Sequence, residues 1–280
     1  MKRSNKKQQE TYKTIKSLGE GGYGEAILVR SNFPGRKYYV MKTISLEHLD
    51  PKRKSKTKEE VKIIQKLNHP NIIKLHEVFF AKQPHETLNL IQEYADGGDL
   101  YQKIYEMKEK NEYFSESQIL DWFTEISLAL NHMHSKHILH RDIKSQNVFL
   151  TKNNMIKIGD FGISKTLDCT LAKAKTFVGT SYYLSPEIIL NIPYSYESDI
   201  WSLGVLLYEM CALEVPFTAS NLPVLSLKIL KGEYPKLDNR WSEDLRKLVD
   251  SMLQIDHDKR PSLKEILGKL FFFYFFFLNF

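Results

Sequence analysis

The sequence predicts an α+β fold in two lobes: a small sheet-rich lobe with one main helix, then a larger, mainly helical one. Three observations carry this expectation. Up to about Tyr94, short apolar stretches are bounded by turn residues, as strands are. Beyond Gly97-Gly98, apolar residues recur three and four apart, as on helices. With 280 residues, the chain is long enough for one large domain or two lobes and can bury a sizeable core.

The first strand is expected over residues 12–18, running into Gly19-Glu20-Gly21-Gly22-Tyr23-Gly24. Residues 26–29 form the second strand, Asn32-Phe33-Pro34-Gly35 a turn, and residues 37–42 the third strand. One helix interrupts this lobe. Asp50 can cap it, and Pro51 suits its first position, where the missing N–H would have no partner in any case. Val61, Ile64 and Leu67 continue at helical spacing, and His69-Pro70 ends the helix. Two further strands, 74–80 and 88–94, flank a turn with Pro84. In the second lobe, Ser115-Glu116-Ser117-Gln118 is a capping-box pattern that opens a helix carrying Ile119, Trp122, Phe123, Ile126, Leu130 and Met133. Residues 200–210 are apolar on most sides, as in a helix buried in a core. Ser242 starts another helix, with Leu245, Leu248, Val249 and Met252 on one face.

Hydrophobic residues make up 42% and charged residues 26%, which suits an ordinary soluble globular protein. The net charge of +6 comes largely from two runs, Lys2, Arg3, Lys6, Lys7 and Lys52, Arg53, Lys54, Lys56, Lys58. These read as a solvated terminus and a solvated helix start, so no nucleic-acid partner is expected. Two cysteines, Cys169 and Cys211, are too few for a disulfide framework, which points to a reducing compartment. No apolar stretch follows the basic N-terminus, so no secretory signal is expected. The longest apolar run, residues 270–278, falls short of the ~20 residues that a membrane-spanning helix needs.

The chemistry concentrates in His140-Arg141-Asp142-Ile143-Lys144-Ser145-Gln146-Asn147 and in Asp160-Phe161-Gly162. Asp142 can accept a proton from an attacking hydroxyl, and Lys144 can steady a transferring phosphoryl group. Asn147 and Asp160 offer hard oxygen ligands suited to Mg²⁺. The pattern Gly19-x-Gly21-x-x-Gly24 joins two strands, which argues against a dinucleotide-binding fold, where the third glycine enters a helix. Glycines there let the backbone approach phosphates closely. Lys42, in a strand pattern, can hold the α- and β-phosphates if a helix carboxylate steers it. Glu60 is the better candidate, because it shares a face with Ile64; Glu59, the alternative, lies about 100° away, nearer solvent.

Together and in this order, these elements resemble eukaryotic protein kinases from Tyr12 to about Leu270. Within that family the chain resembles the NimA-related serine/threonine kinases. The residues that carry this are Glu25-Ala26, Tyr39-Val40-Met41-Lys42, His69-Pro70-Asn71-Ile72, Glu93-Tyr94-Ala95-Asp96-Gly97-Gly98-Asp99-Leu100, Ile143-Lys144-Ser145-Gln146-Asn147-Val148-Phe149-Leu150, Gly159, and Lys175-Thr176-Phe177-Val178-Gly179-Thr180. The resemblance implies a bilobal protein-kinase-like fold over residues 12–270, with an N-lobe at 12–94, a hinge at 93–97 and a C-lobe at 98–270. A basic extension, 1–11, and a Phe-rich one, 271–280, flank it. Within the Phe-rich run, Phe271 or Phe272 is expected to finish the core, with the rest a non-native extension; a membrane or partner anchor is the rival reading.

The implied activity is transfer of the γ-phosphoryl group of ATP to Ser or Thr hydroxyls of protein substrates, with Mg²⁺, or Mn²⁺ in its place. The resemblance assigns Gly19, Glu20, Gly21, Gly22, Tyr23 and Gly24 to the phosphates of ATP. It assigns the backbone of Glu93 and Ala95 to adenine, Ala26, Val40 and Phe149 to the faces of the ring, Gln92 to the back pocket and Asp99 to the ribose. Lys144 marks a serine/threonine enzyme, and Ile163, after Asp160-Phe161-Gly162, leaves room for a threonine methyl. Gly179-Thr180-Ser181-Tyr182-Tyr183-Leu184-Ser185-Pro186-Glu187 resembles the segment that receives the peptide, with Ser185 where Ala is usual. There Thr180 is expected to contact Asp142 and Lys144, Glu187 to pair with Arg260, and Asp199 to brace the catalytic loop. Thr176 is the expected regulatory phosphosite and Arg141 its phosphate-binding partner. Phosphorylation in trans implies transient self-association. The expected location is cytoplasmic, with cytoskeleton, cilium, centrosome or nucleus implied by the family. A pseudokinase scaffold gains no support, since Lys42, Glu60, Asp142, Asn147 and Asp160 are all present. A small-molecule kinase is disfavoured by the peptide-receiving segment.

Overall fold

The computed structural model describes residues 11–21, 24–32, 35–47, 49–81, 86–160 and 180–277. Gly22, Tyr23, Phe161, Gly162, Ile163 and Thr176 lie outside the described residues. The described chain forms two compact units that divide between Ala95 and Asp96.

The first unit is an antiparallel sheet with strand order β1-β2-β3-β5-β4. Its strands are β1 (Tyr12–Gly21), β2 (Gly24–Ser31), β3 (Tyr38–Ser45), β4 (Leu75–Ala81) and β5 (Thr87–Glu93). β1 runs past Leu18 because its backbone ladder continues through the glycines, with Gly21 paired to Gly24. Gly24 also lets β3 come close on the other side: a Cβ there would stand 1.7 Å from the carbonyl oxygen of Thr43. Helix α1 (Pro51–Ile64) is capped by Asp50, which accepts from the Arg53 amide at 2.9 Å. It stops before Leu67, where 3-10-type bonds from Lys66 to Ile63 and Leu67 to Ile64 tighten its end. Val61 and Ile64 of α1 are buried, as are Leu28, Val29, Ile44, Leu88, Leu90 and Ile91 of the sheet.

The second unit contains α2 (Leu100–Lys110), α3 (Glu116–His134), a hairpin of β6 (Val148–Leu150) and β7 (Ile156–Ile158), α4 (Pro186–Ile189), α5 (Tyr196–Ala212), α6 (Leu222–Lys231), α7 (Glu243–Met252) and α8 (Leu263–Phe277). Only half of the capping box at α3 forms. Ser115 accepts from the Gln118 amide at 3.2 Å, while the Gln118 side chain accepts from Asn154 at 2.9 Å. α5 is the centre of this unit, with every residue from Ser198 to Cys211 buried. Gly204 lets α7 come close: a Cβ there would meet Met252 at 2.8 Å. Trp201 stacks on Phe217 with centroids 5.7 Å apart. Leu263, Ile266 and Leu270 are the buried face of α8, and Phe271 beyond them is 69% exposed.

Candidate active site

The catalytic run lies in the loop between α3 and β6, and hairpin register brings Asp160 to it. Val148 pairs with Ile158, so Asn147 and Gly159 face each other at the open end of the β6–β7 ladder. The Gly159 amide donates to the Asn147 carbonyl at 3.0 Å, which sets Asp160 beside Asn147.

The Asn147 amide nitrogen donates to both the carbonyl and Oδ2 of Asp142, each at 2.7 Å. Both partners are pure acceptors, so the amide orientation is fixed and Oδ1 faces away from Asp142. Lys144 Nζ reaches the same Asp142 Oδ2 at 2.8 Å. The carboxylate is therefore locked about its χ angles by a neutral donor and a cation. The Asn147 amide oxygen and the Asp160 carboxylate are hard donors of the type Mg²⁺ takes. Among the described residues no group of three or more His, Cys, Asp or Glu side chains could hold a metal. Such a two-ligand pair fits an ion that completes its octahedron with water and phosphate oxygens.

Asp199, at the start of α5, is fully buried and accepts four hydrogen bonds. They come from the His140 amide at 3.0 Å, the Arg141 amide at 3.0 Å, His134 Nε2 at 2.8 Å and the Tyr194 hydroxyl at 2.6 Å. Burial opposes its charge, but the His134 hydrogen bond and the nearby imidazoles outweigh that and hold the carboxyl below its ordinary range. The grip falls on Arg141, whose φ of 67° is left-handed, just before Asp142.

A second anchor holds the stretch after Thr180. Arg260 forks onto Glu187, Nη1 to Oε1 at 2.8 Å and Nη2 to Oε2 at 2.9 Å, and both side chains are buried. The Ser198 hydroxyl donates to Glu187 Oε1 at 2.6 Å. Burial pushes the Glu187 carboxyl up, but the Arg260 and Ser198 bonds bring it down to about 2. Thr180 opens a 3-10 turn (Thr180–Tyr183); the expected contact of its hydroxyl lies outside the described side chains. Asp99 caps α2 by accepting from the Gln102 amide at 2.8 Å, and Phe149 forms an isolated bridge with it.

In the sheet-rich unit, ladder register decides which side chains share a face. Ala26 pairs with Lys42 and Lys42 with Leu90, while Leu28 pairs with Val40 and Val40 with Gln92. With a side-chain period of two, Ala26, Val40, Lys42 and Gln92 therefore project from one face of the sheet. The Glu93 carboxylate instead accepts from the Lys74 amide at 3.2 Å. On α1, Glu60 is half-buried next to buried Val61, and Glu59 is exposed.

Sequence reasoning missed His134, Tyr194, Ser145, Tyr183 and Glu209 as parts of the site's framework. One signal was present: Glu209 is an acidic residue in the mostly apolar stretch from 200 to 211, and a buried polar group needs partners.

A family model described as a protein kinase domain matches residues 12–272. The chain is 44% identical over 262 residues to the mouse serine/threonine-protein kinase Nek1, covering 94% of this chain and 21% of that protein. It is 45% identical to the probable serine/threonine-protein kinase nek3 of Dictyostelium discoideum, covering 92% of this chain and 23% of the relative. It is 42% identical to the human serine/threonine-protein kinase Nek5, covering 94% of this chain and 36% of the relative. The chain thus spans about a fifth to a third of the length of these relatives.

Proposed function

Because this chain belongs to the protein kinase domain family, we propose that it transfers the γ-phosphoryl group of ATP to serine and threonine hydroxyls of proteins. The observation that carries this reading is the locked Asp142 carboxylate, held by Asn147 and Lys144 with Asp160 tethered alongside. Phosphoryl transfer is mostly a matter of positioning and charge stabilisation, so a rigid base beside a cation and two hard ligands is what the reaction needs.

Asp142 takes the proton of the acceptor hydroxyl. Lys144 faces the charge that builds on the transferring group. Asn147 and Asp160 would hold Mg²⁺, or Mn²⁺, which would supply charge neutralisation at the phosphate oxygens. In the sheet-rich unit, Ala26 and Val40 contact adenine, with Gln92 behind it and the backbone of Glu93 and Ala95 along its edge. The glycine segment from Gly19 to Gly24 and Lys42 take the phosphates, with Glu60 as the carboxylate that steers Lys42. In the helical unit, Phe149 contacts adenine, and Asp99 the ribose.

Three finer readings go with this. Ile163 favours threonine over serine as acceptor. Phosphate on Thr176, bound by Arg141, raises activity, and two copies meet transiently to place it there. The chain works in the cytoplasm, at cytoskeletal structures or in the nucleus. Among the described residues no helix is long and apolar enough to cross a membrane.

The test is incubation with γ-radiolabelled ATP, Mg²⁺ and casein, followed by acid hydrolysis and separation of the phosphoamino acids. Label on threonine and serine is the expected result. Absence of label, or label confined to tyrosine, rejects the reading.

A further inference from the structure

Glu209 sits on α5, 6% exposed. Among the described residues no cation pairs with it, unlike Glu187, which has Arg260. A buried carboxylate without a counter-ion is costly, so its hydroxyl donors must compensate. One is the Tyr183 hydroxyl, which donates to Oε2. The other is the Ser145 hydroxyl, which donates to Oε1 at 3.2 Å. The ring closes because the Tyr183 oxygen accepts from the Ser145 amide at 3.2 Å. Tyr183 is also held at its main chain, where its carbonyl accepts from the Ser202 hydroxyl at 3.1 Å.

Ser145 is fully buried and follows Lys144 directly. It begins the 3-10 turn (Ser145–Asn147) that ends at the ligand residue Asn147. A ring that fixes both the amide and the hydroxyl of Ser145 therefore sets where Lys144 enters and where Asn147 leaves. We propose that Glu209 is a positioning residue for phosphoryl transfer, acting through Ser145 and Tyr183 on Lys144, Asn147 and, through them, Asp142. This rests on the kinase reading above.

Burial raises the Glu209 carboxyl to about 7, and the Tyr183 and Ser145 bonds keep it from rising further. Tyr183 is itself pushed well above its ordinary range, by burial and then by the Glu209 charge. Lys144 adjoins Ser145 in the chain and Cys211 lies two positions after Glu209, and neither contributes to the Glu209 shift. Above about pH 7 the ring has charge-assisted bonds; below it the bonds are neutral and about half as strong. A folded-state pKa raised above the unfolded value means that the charge costs stability: the cost builds as pH rises from about 4.5 and is complete above about 7. Glu209→Gln keeps shape and acceptor while removing that charge.

The experiment measures kcat, KM for ATP and thermal midpoint across neutral pH for the wild-type chain, Glu209→Gln and Ser145→Ala. At pH 8 both variants should lose about tenfold in kcat, the worth of one charge-assisted hydrogen bond, with KM for ATP within about twofold. Wild-type kcat should rise as pH passes about 7 and the ring gains its charge; Glu209→Gln should show no such rise, while its thermal midpoint at pH 8 holds or increases. If that variant does not fold, Ser145→Ala and Tyr183→Phe carry the test through the same fall in kcat at a native-like midpoint. Wild-type kcat and pH profile in the variants overturn the proposal, as does activity lost only in step with stability. An inactive wild-type chain is a separate failure, that of the kinase reading.

Discussion

One nitrogen of Asn147 binds Asp142 twice, at the carboxylate and at the main-chain carbonyl, each at 2.7 Å. A residue expected to ligate a metal therefore also shapes the base. Its amide leaves only the oxygen for a cation, and the nitrogen keeps Asp142 from rotating.

Asn147→Ala removes both jobs at once. The Mg²⁺ concentration for half-maximal transfer should rise at least ~10-fold, the scale for disturbing a metal site, and kcat should fall with it. A titration of activity against Mg²⁺ at fixed ATP checks this. An unchanged metal requirement would remove Asn147 from the metal site.

The buried Glu187–Arg260 fork makes a stability prediction. Arg260→Ala leaves Glu187 buried without its cation, at a cost of about 3–5 kcal/mol, read as a lower urea midpoint at neutral pH. The Glu187 carboxyl is depressed to about 2 from 4.5, so its contribution is present above the ordinary value and is lost as pH falls from about 4.5 to about 2. Wild-type stability should fall through that acid window more steeply than that of Arg260→Ala.

Several parts of this account were legible in the sequence because they are local. Asp142, Lys144 and Asn147 lie within six consecutive positions, and capping and spacing located α1, α3 and α7. Spacing also placed Glu60 facing inward and Glu59 outward, which is how α1 carries them. Whether Glu60 touches Lys42 depends on how α1 seats against β3, and no helical period reports that. The β6–β7 hairpin went unread, since three-residue strands show too little alternation to be seen. Glu187 and Arg260 are 73 positions apart, and only the family resemblance pointed to the pair. His134, Tyr194 and Glu209 serve partners in other segments, so no local pattern marks them. The start of α5 at Tyr196, ahead of the apolar run, follows from the polar first turn in which Ser198 accepts from the Ser195 amide.

Regulation gives a third prediction. In the regulatory reading proposed above, a phosphate on Thr176 adds about two negative charges for Arg141 to bind. Phosphatase treatment and Thr176→Ala should each lower activity about tenfold, as loss of a charge-assisted contact would. Equal activity of the dephosphorylated, Thr176→Ala and phosphorylated chains would remove the switch.

The Phe-rich end gives a fourth. Leu270 is the last described buried residue of α8, and the apolar run continues beyond it with Phe271 exposed. An uncharged apolar segment of this kind promotes association. Deleting residues 273–280 should raise the soluble fraction and leave kcat within about twofold. Loss of folding would show that the end of α8 is structural.

The most direct test of the central claim is the turnover of Asp142→Asn beside the wild-type chain, with ATP affinity measured on both. The amide keeps the shape of the loop and an acceptor oxygen for Asn147 and Lys144, but it cannot take the acceptor's proton at neutral pH. Unchanged ATP affinity with transfer slowed at least ~100-fold, the scale of a general base, is the result this account predicts. Near-wild-type turnover by Asp142→Asn would contradict it.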